Sequence, residues 1–253
     1  MEYYYVNPEN VNTEKQQIYV EGFEYRHIAR VLRKKEGDKL AFTDGNLNIH
    51  HCKIEHVGKD NLLCSIESSS FNLFEPAASV NLFIAPLKSS ERFEFAVEKA
   101  VELGIKSIRP VQTEFTVSKG IFSENKLERL RKIIIRAMCQ SQRCYLPEIG
   151  NLISFEEMIS LNASVENKIA MYEFSSDSSG ININSPEISL LIGPEGGFSQ
   201  KEADLLKFNK WLLKSLGSRK IRAETAAVVS VFKLINNYES TSGINITEDL
   251  SGN

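Results

Sequence analysis

Two glycine-containing turns carry the residues whose types and spacing could do chemistry. The first, residues 193–197, reads Gly-Pro-Glu-Gly-Gly and ends the apolar run 190–192. The second, residues 216–222, is basic and follows a strand-like run that begins at Trp211. Glycine lets a ligand approach the main chain, and a helix that starts after such a turn presents N–H groups to it. Together the turns predict a cofactor pocket built from backbone, at the carboxyl ends of neighbouring parallel strands.

The residues around the first turn indicate a strand–turn–helix arrangement. Pro194 fixes its own φ and cannot extend a central strand, so the strand ends there. Ser199 and Glu202 have the spacing of a capping box, which predicts a helix that begins just after the turn. The glycine spacing matches neither the dinucleotide-binding nor the P-loop pattern. For this turn alone, a plain connection whose glycines serve tight packing is the alternative interpretation.

The pair of turns resembles the RsmE-type ribosomal RNA (uracil-N3)-methyltransferases of the SPOUT superfamily. The second turn belongs to the block Leu-Gly-Ser-Arg-Lys-Ile-Arg-Ala-Glu-Thr-Ala over residues 216–226. Further blocks match in the same order: the Arg-His-Ile-Ala-Arg segment from Arg26, then Lys88, residues 99–104, and the Gln-Ser-Gln-Arg segment that ends at Arg143. The resemblance therefore covers nearly the whole chain, from about residue 1 to residue 238.

The chain departs from the family pattern at a few positions. Phe115 stands where an arginine is usual, and Arg136 and Cys139 stand where glutamates are frequent. These departures affect the expected RNA-facing cleft more than the cofactor site, whose Gly-Pro-Glu-Gly-Gly turn is intact.

The fold class expected from pattern and resemblance is α/β with two domains. Residues 1–72 are rich in short strands, with a hairpin signal at Asp44-Gly45-Asn46, and fit the family's small PUA-like RNA-binding β-barrel. Over residues 73–240 strands alternate with helices, which predicts a mostly parallel sheet where the family has its SPOUT domain. Residues 241–253 are a polar tail. The resemblance alone implies a deep trefoil knot, because sequence patterns do not reveal knots.

By resemblance, the cofactor is S-adenosylmethionine, held by three loops largely through backbone groups. The residues expected to bind it are Tyr172, Glu173, Gly193, Glu195, Gly196, Gly197, Leu216, Gly217 and Ile221. The implied reaction is methylation of N3 of a specific uridine in 16S ribosomal RNA, as free rRNA or within the small ribosomal subunit. The target base must be unpaired or flipped out, because N3 lies on its pairing edge.

Two side chains are candidates for the catalytic groups. An arginine near O2 or O4 of uracil would stabilise the negative charge that develops there, and Arg222 is the candidate for this role. Glu195 is the first candidate for a general base, with bulk solvent as the alternative. The competing interpretations are structural: Arg222 would pair with Glu224 or Glu195 at a helix end, and Glu173 or Glu195 would favour a helix N-terminus.

RNA binding by this chain needs a concentrated basic surface, because its formal net charge is −3. A helix around residues 25–33 would place three arginines opposite the apolar residues Ile28, Val31 and Leu32. The residues predicted to bind RNA are Arg26, Arg30, Arg33, Lys88 and Arg143. A solvated helix face is the alternative interpretation of the basic stretches.

The remaining expectations come from composition. The chain of 253 residues is 42% hydrophobic and 25% charged, with no apolar run that could span a bilayer and no secretory segment, so a cytoplasmic protein without membrane contact is expected. Its four cysteines lack metal-ligand spacing, so reduced thiols and no metal site are expected. Residues 224–238 form a helix that is apolar on most sides, and the family is dimeric, so a homodimer is expected.

Two other functions stay open from the sequence. One is a SPOUT RNA methyltransferase with a different target, such as a ribose 2′-oxygen. The other is a non-catalytic RNA-binding or ribosome-assembly protein that kept the fold.

Overall fold

The structure is a computed structural model that describes residues 2–117, 122–175 and 181–243. Its chain divides into two units, one of Met1–Glu75 with Ile135–Leu146 and one of Pro76–Ile134 with Pro147–Asn253. The sequence had assigned residues 135–146 to the second domain, but Cys144 packs in a cluster with Tyr3 and Ala41 of the first unit. Most of the predicted polar tail, residues 244–253, lies outside the described residues.

The first unit is a six-stranded sheet in the order β1-β4-β5-β6-β3-β2. Only β1 and β4 pair in parallel, and the other neighbours are antiparallel. Irregular register in the β5–β6 pair accompanies the curl of the sheet into a PUA-like half-barrel. The strands are β1 (Tyr3–Tyr5), β2 (Val11–Asn12), β3 (Gln17–Glu21), β4 (Lys39–Thr43), β5 (Asn48–Val57) and β6 (Asn61–Phe71).

The predicted hairpin at Asp44-Gly45-Asn46 is confirmed. Strands β4 and β5 pair antiparallel on either side of it. Gly45 has a φ of 74°, and a Cβ atom there would lie 2.7 Å from the Cβ of Leu146, so glycine is required for both backbone conformation and space.

The helical segment of the first unit differs from the predicted one. A short α1 (Gly22–Tyr25) continues as a π-helical turn (Arg26–Val31), in which the N–H of Leu32 donates to the carbonyl of His27, five residues earlier. Ile28 is buried, but Val31 is 67% exposed and Leu32 41% exposed. The predicted shared apolar face is therefore wrong, because the wider turn rotates these two side chains outward.

Arg143, predicted to bind RNA, is instead part of the interior of the first unit. It is 3% exposed, and its guanidinium donates hydrogen bonds to both carboxylate oxygens of Glu75, with an Nη2–Oε2 distance of 2.6 Å. The backbone N–H groups of Cys144 and Tyr145 donate to Oε1 of the same carboxylate. This prediction is corrected because the side chain that would bind phosphate is enclosed with an opposite charge.

The second unit contains seven strands that pair only in parallel, which confirms the predicted parallel sheet. The order is β10-β8-β7-β12-β11-β13, with β9 also paired to β8. The strands are β7 (Ser79–Ile84), β8 (Ser107–Gln112), β9 (Glu148–Ile149), β10 (Ile153–Ser154), β11 (Asn167–Met171), β12 (Glu187–Ile192) and β13 (Leu212–Lys214). The knot implied by the resemblance stays a prediction.

Helices connect these strands, as the alternating pattern predicted. In α2 the apolar stripe of Phe93, Val97 and Val101 is buried. Gly104 follows that helix with a φ of 101°, and a Cβ atom there would lie 2.5 Å from the ring of Pro76. The helices are α2 (Ser90–Glu102), α3 (Glu124–Gln140), α4 (Phe155–Leu161), α5 (Gln200–Phe208) and α6 (Ala223–Thr241).

All four cysteines lie within the described residues, and each is free and buried. Burial raises the pKa of the Cys52 and Cys64 thiols to about 12. No helix in the described parts of the chain is long and apolar enough to cross a membrane.

We expect Arg143→Ala to lower the free energy of unfolding by about 3–5 kcal/mol, because it leaves the Glu75 carboxylate buried without its counter-charge. Arg131→Ala is the matched control, since Arg131 pairs with Glu124 at the surface and such pairs contribute about 1 kcal/mol or less. Urea unfolding followed by circular dichroism measures both. Equal losses in the two variants would contradict a structural role for the buried pair.

Candidate cofactor pocket

A cavity of about 340 Å³ lies in the second unit, where three parallel strands end. Met171 at the end of β11 is in register with Ile192 at the end of β12 and with Lys214 at the end of β13. The three loops that follow therefore start at one level of the sheet. The structure brings together eight of the nine residues predicted to bind cofactor, and Arg222 with them: Tyr172, Glu173, Gly193, Glu195, Gly197, Leu216, Gly217 and Ile221.

Gly197 and Gly217 shape the cavity through their backbone conformations. Their φ values are 69° and 109°, a region that residues with a side chain rarely adopt. Both glycines line the cavity, and a Cβ atom on Gly217 would meet nothing within 4 Å. Backbone conformation, rather than lack of space, is therefore what requires glycine at residue 217.

Gly193 and Gly196 both allow close packing around the first turn, although Gly193 also lines the cavity. A Cβ atom on Gly193 would lie 3.1 Å from the ring of Phe198, and one on Gly196 would lie 3.0 Å from the Cβ of Phe115. Gly196 is not among the residues that line the cavity. The prediction that Gly196 contacts cofactor is corrected, because the side of Gly196 that would carry a Cβ atom faces Phe115. For Gly196 the structure supports the tight-packing interpretation of the turn.

The predicted capping box is confirmed, and its Glu202 carboxylate also binds the segment that contains Glu114. The Ser199 hydroxyl accepts from the N–H of Glu202, and one Glu202 oxygen accepts from the N–H of Ser199. The other oxygen of Glu202 accepts from the N–H of Glu114, at 2.8 Å. This buried carboxylate therefore joins the first turn to the segment that carries Phe115. Sequence reasoning missed this contact, which links residues 88 positions apart.

Glu195 is held in place by the loop after β7. One oxygen of its carboxylate accepts a hydrogen bond from the backbone N–H of Lys88, at 3.1 Å. The Lys88 side chain is exposed. Across the cavity, the ammonium of Lys220 lies 4.0 Å from a carboxylate oxygen of Glu173.

Arg222 occupies the N-cap position of α6, and its side chain is 69% exposed. Its Nη1 lies 3.9 Å from Oε1 of Glu224, the pair that the structural interpretation predicted. This distance exceeds that of a hydrogen bond, so the guanidinium keeps its donors for another acceptor. Nε of Arg92, a residue that sequence reasoning missed, lies 3.7 Å from the same oxygen. No short-range pattern links Arg92 to α6.

The charges around the cavity favour an anionic partner at its mouth. Three exposed cationic residues line it, against the carboxylate residues Glu173 and Glu195; the cations are Arg219, Lys220 and Arg222. The other face of the lining is apolar, from Met171, Ile192 and Ala226. The described residues contain no group of three or more His, Cys, Asp or Glu side chains that could hold a metal ion.

A half-barrel and a parallel sheet with a glycine-containing pocket at its strand ends define a class, the RNA methyltransferases with a PUA domain. The family model for the RNA methyltransferase domain matches residues 75–235, and that for the RNA methyltransferase PUA domain matches residues 20–67. The chain belongs to the ribosomal RNA small subunit methyltransferase E family.

Individual relatives agree with this membership. The chain is 31% identical to ribosomal RNA small subunit methyltransferase E of Synechocystis sp. over 216 residues, which cover 82% of this chain and 69% of the relative. Identity to the Bacillus subtilis protein of the same name is 28% over 225 residues, covering 84% and 87%. A methyltransferase from Legionella pneumophila, solved with bound S-adenosylmethionine, is 27% identical with a TM-score of 0.81, covering 94% of this chain and 97% of that chain. The predicted family and fold class are confirmed.

Proposed function

We propose that this chain methylates N3 of a uridine in 16S ribosomal RNA, with S-adenosylmethionine as the methyl donor. The observation that carries the proposal is the cavity formed where β11, β12 and β13 end. The names of the curated relatives and the cofactor bound in the Legionella structure support the choice of substrate and donor.

The cavity fits this cofactor in size and in the chemistry of its walls. Its volume of about 340 Å³ lies within the range of small-molecule sites. The apolar wall of Met171, Ile192 and Ala226 suits a nucleoside, and the positive φ of Gly197 and Gly217 brings main chain to the ligand. When bound, S-adenosylmethionine supplies an electrophilic methyl group on a positively charged sulfur, beside which the carboxylates of Glu173 and Glu195 are favourable.

The side chains at the mouth perform the other half of the reaction. Uracil N3 becomes a nucleophile only as its proton leaves, so negative charge develops on O2 and O4 before the methyl group is taken up. That charge would be neutralised when the nitrogen–carbon bond forms and the sulfur–carbon bond of the donor breaks, which leaves a neutral thioether. Arg222 extends from the start of α6 into the cavity lining and stabilises that charge electrostatically. The proton passes to solvent or to Glu195, whose carboxylate the Lys88 N–H holds in position.

RNA is held by cations outside the cavity as well. Arg26, Arg30 and Arg33 are exposed on the first unit, and Lys88 is exposed on the second. They contact phosphates, which position the RNA without reading its sequence. Because its proposed substrate is ribosomal RNA, we place the protein in the cytoplasm.

The active form is a homodimer that associates through α6. This helix is longer than predicted, Ala223–Thr241 rather than residues 224–238, and five of its apolar residues are buried within the unit. Val229 and Phe232 are 38% and 56% exposed and, three residues apart, share one face of the helix. This exposed apolar face supports the proposed interface.

We expect Gly217→Ala to raise the dissociation constant for S-adenosylmethionine about 5-fold or more, because a side chain at this φ costs roughly 1–3 kcal/mol. Gly196→Ala is the control, since its Cβ points away from the cavity, and we expect its dissociation constant to stay within about threefold of wild type. Calorimetric titration measures both. A normal affinity in Gly217→Ala, or an equal loss in Gly196→Ala, would contradict the proposed cradle.

We expect Arg222→Ala to lower the single-turnover rate of 16S rRNA methylation about 100-fold or more, with cofactor affinity nearly unchanged. Arg219→Ala, in the same turn, is the control and should keep most of the rate at saturating RNA. Labelled methyl transfer, with mass mapping to uracil N3, measures the reaction and tests the proposed function. An unchanged methylation rate in Arg222→Ala would contradict a catalytic role and leave Arg222 with a structural one, as the ion-pair partner of Glu224.

We expect the wild-type chain to scatter light with the mass of two chains at micromolar concentration, and Phe232→Asp to shift it to the mass of one. A charge in place of an anchoring aromatic residue at an interface typically costs 2 kcal/mol or more. Phe208→Asp, at another exposed phenylalanine, should remain dimeric. A wild-type monomer would refute the homodimer.

A further inference from the structure

The surface of the first unit exposes an aromatic ring with a parallel imidazole and an arginine near it. Phe23 is 58% exposed. Its ring and that of His27 are parallel to within 1°, with centroids 6.3 Å apart. The guanidinium carbon of Arg136 lies 5.5 Å from the Phe23 centroid. These three side chains are called the Phe23 platform below.

The π-helical turn adds apolar surface and fixed positive charge on the same segment. Val31 and Leu32, expected in the core, are exposed because of the wider turn. Nε of Arg26 donates to the carbonyl of Gly22 at 3.2 Å, and Nη2 of Arg30 donates to that of Lys59 at 3.0 Å. Because carbonyls are uncharged, these hydrogen bonds orient the arginines and leave their positive charge available.

We propose that the Phe23 platform stacks an unpaired RNA base, while Arg26, Arg30 and Arg33 contact the flanking phosphates. The inference rests on the proposed function only in that the ligand is RNA. Single-stranded RNA is bound by aromatic side chains and arginine planes that stack on bases, within a positively charged groove. The exposed phenylalanine and the four arginines of this surface provide both parts.

The positive charge around the Phe23 platform favours RNA over a protein partner. The charge of Arg136 acts on the carboxyl of Glu24, which is partly buried. Burial, with a smaller contribution from Glu2, raises the pKa of Glu24 to about 7, against the opposing effect of Arg136. Near neutral pH this carboxyl is therefore only partly ionised, so it offsets only part of the arginine charge that a polyanion would meet.

Stacking and phosphate contacts differ in their dependence on salt, which makes the proposal testable. Loss of a phosphate contact on a single strand lowers the salt slope of binding by about 0.7, whereas loss of stacking lowers affinity and leaves the slope unchanged. We expect Phe23→Ala to weaken binding of a single-stranded oligonucleotide from the substrate rRNA roughly 5- to 150-fold with the wild-type slope. Arg26→Ala should reduce the slope.

The control is Phe71→Ala, which removes a phenylalanine that is 65% exposed on β6 of the same unit. We expect its RNA affinity to stay within about twofold of wild type. An unchanged affinity in Phe23→Ala, or an equal loss in Phe71→Ala, would overturn the proposal. An unchanged RNA affinity with loss of binding to a second protein would overturn it in favour of a protein surface.

A fluorescent variant reports stacking directly. Trp211 is the single tryptophan of the chain and is 3% exposed, so Phe23→Trp adds an exposed reporter over a buried background. We expect the oligonucleotide to quench the added fluorescence, and an oligonucleotide with abasic sites to leave it unquenched. Equal quenching by both would overturn base stacking.

The test of the Phe23 platform can fail while the proposed methyl transfer is observed, and the reverse is also possible. Cofactor titration and methyl transfer are measured on the same Phe23 variants. If Phe23→Ala weakens RNA binding but the wild-type chain transfers no methyl group, the proposed reaction is refuted and the Phe23 platform is supported. Methyl transfer with no dependence of RNA binding on Phe23 would refute the platform alone.

Discussion

The parallel register of three strands is the constraint on which the pocket depends. Because Met171 is level with both Ile192 and Lys214, three loops leave the sheet at the same height and enclose one cavity. A shift of one residue in any of these pairings would turn every side chain of that strand to the opposite face and displace its loop. Residues of all three loops line the cavity, and glycine is required where the backbone conformation is unusual, as at Gly197 and Gly217.

Carboxylates hold these loops by accepting backbone N–H groups. Glu202 accepts from Ser199 and from Glu114, and Glu195 accepts from Lys88, so the first turn is fixed from both sides. Hydrogen bonds to charged acceptors are stronger than neutral ones, which suits a turn that must keep its shape without a regular element around it. The lack of a side chain at Gly196 allows Phe115 to pack against this turn. The departure of Phe115 from the family pattern is therefore accommodated on the side of the turn away from the cavity.

Short-range patterns predicted the elements, whereas long-range contacts decided the roles of several side chains. The Asp44-Gly45-Asn46 hairpin, the Ser199–Glu202 capping box and the parallel sheet depend on neighbours in sequence or on periodicity, and each was predicted. The burial of Arg143 depends on Glu75, 68 residues away, and the orientation of Gly196 depends on Phe115. The π-helical turn was missed because its apolar spacing imitates an ordinary helix, while its hydrogen bonds run one residue further.

The partners of the arginines explain how a chain with a net charge of −3 can present a basic surface. In the stretch that runs from α3 to Arg143, three arginines have carboxylate partners: Arg129 with Glu94, Arg131 with Glu124 and Arg143 with Glu75. Each of these pairs is close to neutral as a unit. Arg26 and Arg30 instead donate to backbone carbonyls, which direct the side chains without cancelling their charge. From sequence alone, the basic segment around Arg26 and the one from α3 to Arg143 look alike. The groups that accept hydrogen bonds from their arginines distinguish the two segments. Positive potential is therefore concentrated around the π-helical turn, where the exposed Phe23 lies.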